Sequence, residues 1–530
     1  MNQIGIRKNS NWLPLYFNMK DKCLLGIDVG TSAIKCVLFD QNCREIAIST
    51  RKPEIHREKP GWSEISMDGL WETVMSAIVE ITSDPIMIDG RIIGIGIAGT
   101  ACGAWLLDEN CLPIRNAILW NDGRAANIMG NWQSDGLLER IFKISGNTIF
   151  PGYPLPLLRW LHENEPEVLE KAHHYFFCKD WIRFKLTGQV NIDHSDMGYM
   201  PYDIQKSELS RELMKLCGLT SQIHLFSKIV NSDEIVGYVQ PIVAEQTGLD
   251  ADTPVITGLV DVAAATLGSG AYLPGQACSI VGTSFLNNLV GDKPSFEPAG
   301  IGAQTKTVNN RYIRSMINTS GTINLDWFLA QFYSNNQDSD KFKDGEIYLH
   351  AEQDAEKIPI GSGGIIYHPY LNTTGVISPF VNPTARAQFF GLSIEHTRSH
   401  MLRAIYEGTA LSMLDCFTHF PVDVDELYIS GGGARSPFWC QMFADCTGKN
   451  ILVPSGKEFG ARGVVILAGI ACGIYQDLFD AMKSVVHIER TYIPDKKNTE
   501  KYQCIYELYR RIYMHVAEDW WERHHLFQKI

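Results

Sequence analysis

Two short apolar runs flank a polar turn near the start of the chain. In "LGIDVGTSAIKCVLFD", residues 25–40, the first run ends at Val29 and the turn Gly30-Thr31-Ser32 follows; Ile34, Cys36 and Leu38 then alternate with Lys35 and Val37. Alternation with period two predicts a strand after the turn. Strand, turn and strand make a hairpin, which excludes a Walker phosphate loop and a dinucleotide fingerprint, because both require a helix after the turn. The backbone N–H groups of so tight a turn can still line an anion-binding concavity. The same tetrapeptide, Val-Gly-Thr-Ser, recurs at 281–284 in "CSIVGTSFLNNLV", again between an apolar run and a mixed one. A matching hairpin context half a chain apart points to two similar halves, each offering a turn to one phosphate chain.

Strand-like runs at 92–98, 255–259 and 427–430 alternate with helical ones such as 401–417. That mixture predicts α/β layers. "GLDADTP", residues 248–254, supplies turn residues ahead of a fresh apolar strand, so a boundary between the halves is expected near 249–254. The polar stretch 334–357 reads as a surface insertion. A last helix over 499–524 places Tyr502, Tyr506, Tyr509, Tyr513, Val516 and Trp520 on one stripe, which is a packing face and assigns no cofactor there.

Composition narrows the classes. A chain of 530 residues, 45% of them apolar, can bury a large core and exceeds one ordinary domain. A net charge of −13 argues against a broad nucleic-acid footprint, so any phosphate must be held locally. The 13 cysteines include no C-x-x-C pair, which predicts reduced thiols in a cytoplasmic protein and no structural zinc. "MNQIGIRKNSNWLPLYFNMKDK" lacks the apolar core and cleavage site of a secretory signal, and no run reaches the length of a membrane span. It reads as a short lead-in before Lys22.

Four places could carry chemistry. Asp28 is a carboxylate inside a strand beside a Gly-Thr turn, costly to bury without a cation or donors. A turn-capping role and a place in the shell of a magnesium ion both satisfy it. Asp261, in "PVITGLVDVAAATLGSG", ends an apolar strand where small helix-compatible residues begin. It reads either as a helix N-cap or as a general base at a strand's carboxyl end, where ligands gather in α/β folds. "ILWNDGRAA", residues 118–126, groups Trp120, Asn121, Asp122 and Arg124, a lining suited to a polyhydroxylated ligand or simply an exposed polar loop. "SGGGARSPFW", residues 430–439, lets backbone approach a flat or anionic ligand between a strand and a helix.

The ordered series "GIDVGTSAIK", "GIGIAGTACGAWLLD", "ILWNDGR", "PGYPLPLLRWLHENEPE", "KDWIRFKLTG", "GLVDVAAATLGSG", "VGTS", "RAIYEGTALS" and "SGGGARSPFWCQMFADCTG" resembles the FGGY carbohydrate kinases, within the actin, Hsp70 and hexokinase superfamily. The resemblance runs from residue 24 to about 518 of the chain. It implies an α/β protein of two actin-like (ribonuclease H-like) domains, at 22–253 and 254–490, with a catalytic cleft between them and a packing helix over 491–530. It further implies ATP and Mg2+ as cofactors, a small sugar as substrate, no nucleic-acid or membrane partner, and leaves room for a homodimer. By position, Asp28 would belong to the Mg2+ shell, and Gly30, Thr31, Ser32 and Lys35 would face the triphosphate. Gly282 and Thr283 resemble the second phosphate turn, and Gly432, Gly433 and Ala434 the adenosine contact. Asp261 resembles the catalytic base, while Trp120, Asn121 and Asp122, with Ala101 and Cys102, would face the sugar.

The pattern departs from that of xylulose kinases at two points. Those carry Gln-Met-His where this chain has Thr100, Ala101 and Cys102, and Asp-Asn where it has Asp261 and Val262. The Asp-Val pair and the "GYPLPLLRWLHENEPE" region look closer to L-xylulose kinases. The resemblance therefore implies phosphorylation of a ketopentose such as L-xylulose, with kinases for D-xylulose, L-ribulose, erythritol or another keto-sugar or polyol as alternatives. An actin-like or chaperone-like ATPase is disfavoured by the sugar-facing "ILWNDGR" and by the lack of a peptide-binding domain. A sensor that has lost catalysis is disfavoured by the presence of both Asp28 and Asp261.

Overall fold

The computed structural model describes residues 22–87, 90–226, 228–333 and 345–528. The lead-in before Lys22 and residues 334–344 of the expected insertion lie outside them. Strands β1 (Lys22–Val29), β2 (Ile34–Phe39) and β3 (Glu45–Arg51) form the antiparallel meander that the alternation predicts. Helix α1 (Met67–Thr82) is capped by the Ser66 hydroxyl, which accepts from the Gly69 N–H, and buries Leu70, Trp71, Val74 and Ile78 at helical spacing. Those side chains share a core with Leu25, Ile27 and Val29, one face of β1.

Strand β4 (Arg91–Gly99) runs parallel to β1. Helix α2 (Cys178–Thr187), β5 (Ile235–Tyr238), β6 (Pro254–Ile256), β7 (Leu259–Val260) and helix α3 (Asp261–Ser269) follow. The sheet order is β5-β6-β4-β1-β2-β3, and β7 also pairs with β4.

The second sheet repeats this plan. Strands β8 (Gln276–Val281), β9 (Phe285–Gly291), β10 (Ala303–Lys306) and β11 (Tyr312–Asn318) precede helix α4 (Arg398–Thr418), β12 (Glu426–Ser430), helix α5 (Pro437–Thr447) and β13 (Ile451–Pro454). Helix α6 (Phe459–Ala471), β14 (Ile488–Tyr492), α7 (Lys496–His515) and α8 (Ala517–Gln528) complete the chain. The order is β10-β11-β9-β8-β12-β13-β14. In each sheet a hairpin's first strand pairs in parallel with a later strand, and the hairpin turn of each carries Val-Gly-Thr-Ser.

Three sequence expectations change. The turn at 248–254 lies within the first unit, because β6 and β7 pair with β4; the sheets part after α3, not at 253/254. Helix α6 also returns to the first sheet: a Cβ at Gly26 would stand 2.7 Å from the Ala461 carbonyl, so glycine there permits the close approach. Within 334–357, residues Glu346–Glu356 form a helix that buries Ile347, Ala351 and Ala355, an apolar stripe of one residue per turn hidden in a polar run. The last helix breaks at Val516 into α7 and α8, with Tyr502, Tyr506, Tyr509, Tyr513 and Trp520 buried as expected.

Candidate active site

The parallel pairing fixes which loops meet. Val29 and Val260 both register with Gly99, so β1, β4 and β7 end at one level. Their carboxyl ends deliver the Gly30 turn, the Thr100–Ala101–Cys102 loop and Asp261 side by side, the edge where ligands gather in such sheets. The Thr100 N–H donates to the Val29 carbonyl at 3.1 Å, joining the first two loops.

Asp28 lies on the face of β1 opposite α1, towards the start of α6. A Cβ at Gly460 would collide with its carboxylate, so glycine in the first turn of α6 leaves the space that Asp28 occupies. Among the described residues no hydrogen bond is made to the Asp28 carboxylate. Burial pushes it up to about 6, with the Lys35 charge opposing and Glu458 adding. Lys35, cross-strand from Asp28, pairs with Glu458 at 2.6 Å. Glu45 accepts the N–H groups of Lys457 and Glu458 at 2.7 and 2.9 Å, so β2 and β3 together hold the entry to α6. Gly30 closes the turn by donating to the Ala33 carbonyl at 3.0 Å, with Ser32 exposed and Thr31 half-buried.

Asp261 opens α3 as its first residue. The capping position is Val260, with no side-chain cap, and Asp261 Oδ1 accepts from the neighbouring Val262 N–H at 2.7 Å. The simple N-cap reading therefore does not describe it. Burial first, then the Asp28 charge, push its carboxyl up to about 7 against the Val262 N–H and Lys179. Two buried carboxylates, of which the Asp28 charge raises Asp261, suit a shared cation or a proton-accepting role.

The second sheet brings its own two loops together. Ile280 registers with Ser430, placing the 282–284 turn beside the glycine loop. Gly282 donates to the Ser284 carbonyl at 3.1 Å, and the Gly282 and Thr283 carbonyls accept from Thr322 and Gly321 at 2.8 and 2.7 Å, which leaves Thr283 exposed on a fixed base. Gly431 has φ 88° and packs on the Val281 backbone, a conformation and a proximity that glycine alone meets well. A Cβ on Gly432 would meet nothing within 4 Å, so that backbone stays open to a ligand, whereas Gly433 and Ala434 are buried.

The sugar-side residues divide. Cys102 is buried with φ 63°, and burial, then Asp261 and Asp196, raise its thiol well above the ordinary range, so it is a protonated and weak donor. Ala101 is half-buried, while Trp120, 43% exposed, and Asn121 project outward. Asp122 is 2% exposed and spends both oxygens on the protein: Ser63 and Arg124 N–H groups and the Arg124 guanidinium, which also pairs with Glu64 at 2.6 Å. The carboxylate thus holds the loop together, with Arg124 stacked 3.8 Å over Trp62.

Sequence reasoning passed over the charged cluster beneath the site. Asp180, Asp193 and Asp196 lie close enough to share one cation, and the Lys179 ammonium takes that place. Burial works against this charge and the three carboxylates outweigh it, raising the Lys179 pKa. Lys179 and Asp180 open "KDWIRFKLTG", but Asp193 and Asp196 come from a later turn, so spacing alone gives no signal.

Paired sheets, each carrying a Val-Gly-Thr-Ser hairpin turn, define a two-domain α/β protein of actin-like fold. The chain belongs to the FGGY family of carbohydrate kinases: the family's N-terminal domain matches residues 23–268 and its C-terminal domain residues 277–472. It is accordingly an ATP-dependent carbohydrate kinase. The L-xylulose/3-keto-L-gulonate kinase of Escherichia coli (strain K12) is 31% identical over 502 residues, covering 92% of this chain and 96% of that one. The xylulose kinase of Bacillus subtilis (strain 168) is 28% identical, covering 94% and 98%. The ligand-bound xylulose kinase from Lactobacillus acidophilus superposes with a TM-score of 0.86 at 24% identity over 94% of this chain and 99% of that one, a likeness of fold. No helix among the described residues is long and apolar enough to cross a membrane.

Proposed function

We propose that the protein transfers the γ-phosphoryl group of ATP to a hydroxyl of a ketopentose, L-xylulose in particular. One observation carries this reading: β1, β4 and β7 end at one level, so Asp28, the Gly30 turn, the Cys102 loop and Asp261 emerge side by side. Asp261 acts as general base. It takes the proton as the sugar oxygen bonds to phosphorus, and the bond from phosphorus to the ADP oxygen breaks. The Gly30 and Gly282 turns offer backbone N–H groups to phosphate oxygens from the two halves, Thr31 and Ser32 line the first and Thr283 the second, and Lys35 reaches the same side. Gly432, with Gly433 and Ala434, accommodates the adenosine.

The donor set fits a hard divalent cation: Asp28 and Asp261 are carboxylates, and Asp28 has no hydrogen-bond partner among the described residues. Asp28 would hold Mg2+, and the ion when bound supplies charge neutralisation on the phosphates. The L-xylulose assignment is supported by the Thr100–Ala101–Cys102 loop, which lacks an imidazole, and by likeness to a kinase named for L-xylulose.

Incubation with ATP and Mg2+ across a panel of ketoses and polyols tests the reading. A ketopentose phosphate formed in equal amount with ADP, fastest from L-xylulose, is the expected product. A polyol or hexose consumed in preference to every ketopentose contradicts it.

A further inference from the structure

The 3-10 turn His194–Tyr199 is fastened on several sides beside Asp261. Ser195 Oγ accepts from the N–H of Val260, the residue before Asp261, at 2.8 Å. The Thr305 hydroxyl donates to the Ser195 carbonyl, Lys179 pairs with Asp196, and the Tyr153 hydroxyl donates to the Gly198 carbonyl. A Cβ at Gly198 would collide with the Gln304 carbonyl, so the turn lies flat against β10.

Tyr199 ends this turn. It is 8% exposed, packed in one core with Cys102, Tyr153 and Val260, and its ring centre lies 6.4 Å from that of Tyr153. The nearby aromatic hydroxyls have work within the protein: Tyr153 serves Gly198 and Tyr175 serves Gly103. The Tyr199 hydroxyl makes no hydrogen bond among the described residues. Burial, then Cys102, Asp261 and Asp196, oppose its ionisation, so the neutral O–H is within electrostatic reach of two residues framing the site. The hydroxyl is not among the fully buried unpaired atoms, as the Tyr202 and Tyr406 hydroxyls are, so it keeps an opening through which an incoming hydroxyl can meet it.

Resting on the ketopentose-kinase reading above, we propose that Tyr199 is a specificity-determining residue whose hydroxyl donates a hydrogen bond to the sugar, on the side where Cys102 supplies no strong donor. The rigid fastening of the turn makes this donor preorganised, and its direction selects one stereoisomer over another.

Tyr199→Phe removes one oxygen that bonds nothing among the described residues, so the fold is retained. Steady-state kinetics of the native and variant proteins, on whichever sugar of the panel the native protein uses best, test the assignment. The sugar KM rises about five- to thirtyfold, kcat stays within about threefold, and selectivity between L- and D-xylulose narrows. The KM for ATP and the melting temperature do not move. An unchanged sugar KM in a folded variant overturns the assignment, as does an equal loss of ATP affinity. If the best sugar is not a ketopentose, the ketopentose reading fails while the Tyr199 effect is still measured on that sugar.

Discussion

Asp261→Asn lowers kcat by about 10²- to 10⁴-fold while the sugar KM changes by less than about threefold, because a general base acts chiefly in the transition state. The same variant gains stability at alkaline pH. The folded Asp261 carboxyl sits at about 7 against an ordinary 3.8, so its contribution to stability is full below the unfolded value and is lost as pH rises through the folded one. Above about pH 7 the native protein therefore bears a charge that asparagine lacks, and the variant melts higher; below about pH 4 the two converge. Stopped assays with a verified sugar and melting curves across this range check both halves. Near-native turnover would leave Asp261 as a helix-terminal residue with no part in the chemistry.

Asp28→Asn reduces kcat/KM by about 10²-fold or more and raises the Mg2+ concentration for half-maximal activity by at least about tenfold. The fold survives, since burial already opposes the Asp28 charge and no hydrogen bond among the described residues depends on it. Titration of activity with Mg2+ reads the effect. Loss of folded protein with an unaltered Mg2+ dependence would return Asp28 to the turn-capping role.

These two carboxylates stand out in the sequence because each interrupts a local pattern, one a strand beside a glycine turn and the other the junction of strand and small-residue helix. The recurrence of Val-Gly-Thr-Ser likewise exposed the duplicated sheets. The engagement of Asp122 within the protein was not legible, because Ser63, which donates to it, and Glu64, which shares Arg124 with it, precede it by many residues. The boundary near 249–254 misled for a related reason: turn residues mark a change of direction, and strand pairing decides which sheet receives the next strand. The return of α6 to the first sheet and the fastening of Tyr199 rest on contacts between distant segments, for which periodicity carries no signal.

If the site phosphorylates an L-ketopentose as proposed, the ratio of kcat/KM for L-xylulose to that for D-xylulose shows it. Cys102 is buried in the loop after β4, within reach of the Asp261 charge, and brings no imidazole to it. Without an imidazole, a hydroxyl presented as D-xylulose presents it lacks a partner, at about 1–3 kcal/mol. The account predicts a preference for L-xylulose of about ten- to a hundredfold, narrowed by Cys102→His. A native preference for D-xylulose, or a ratio that Cys102→His leaves untouched, would contradict it.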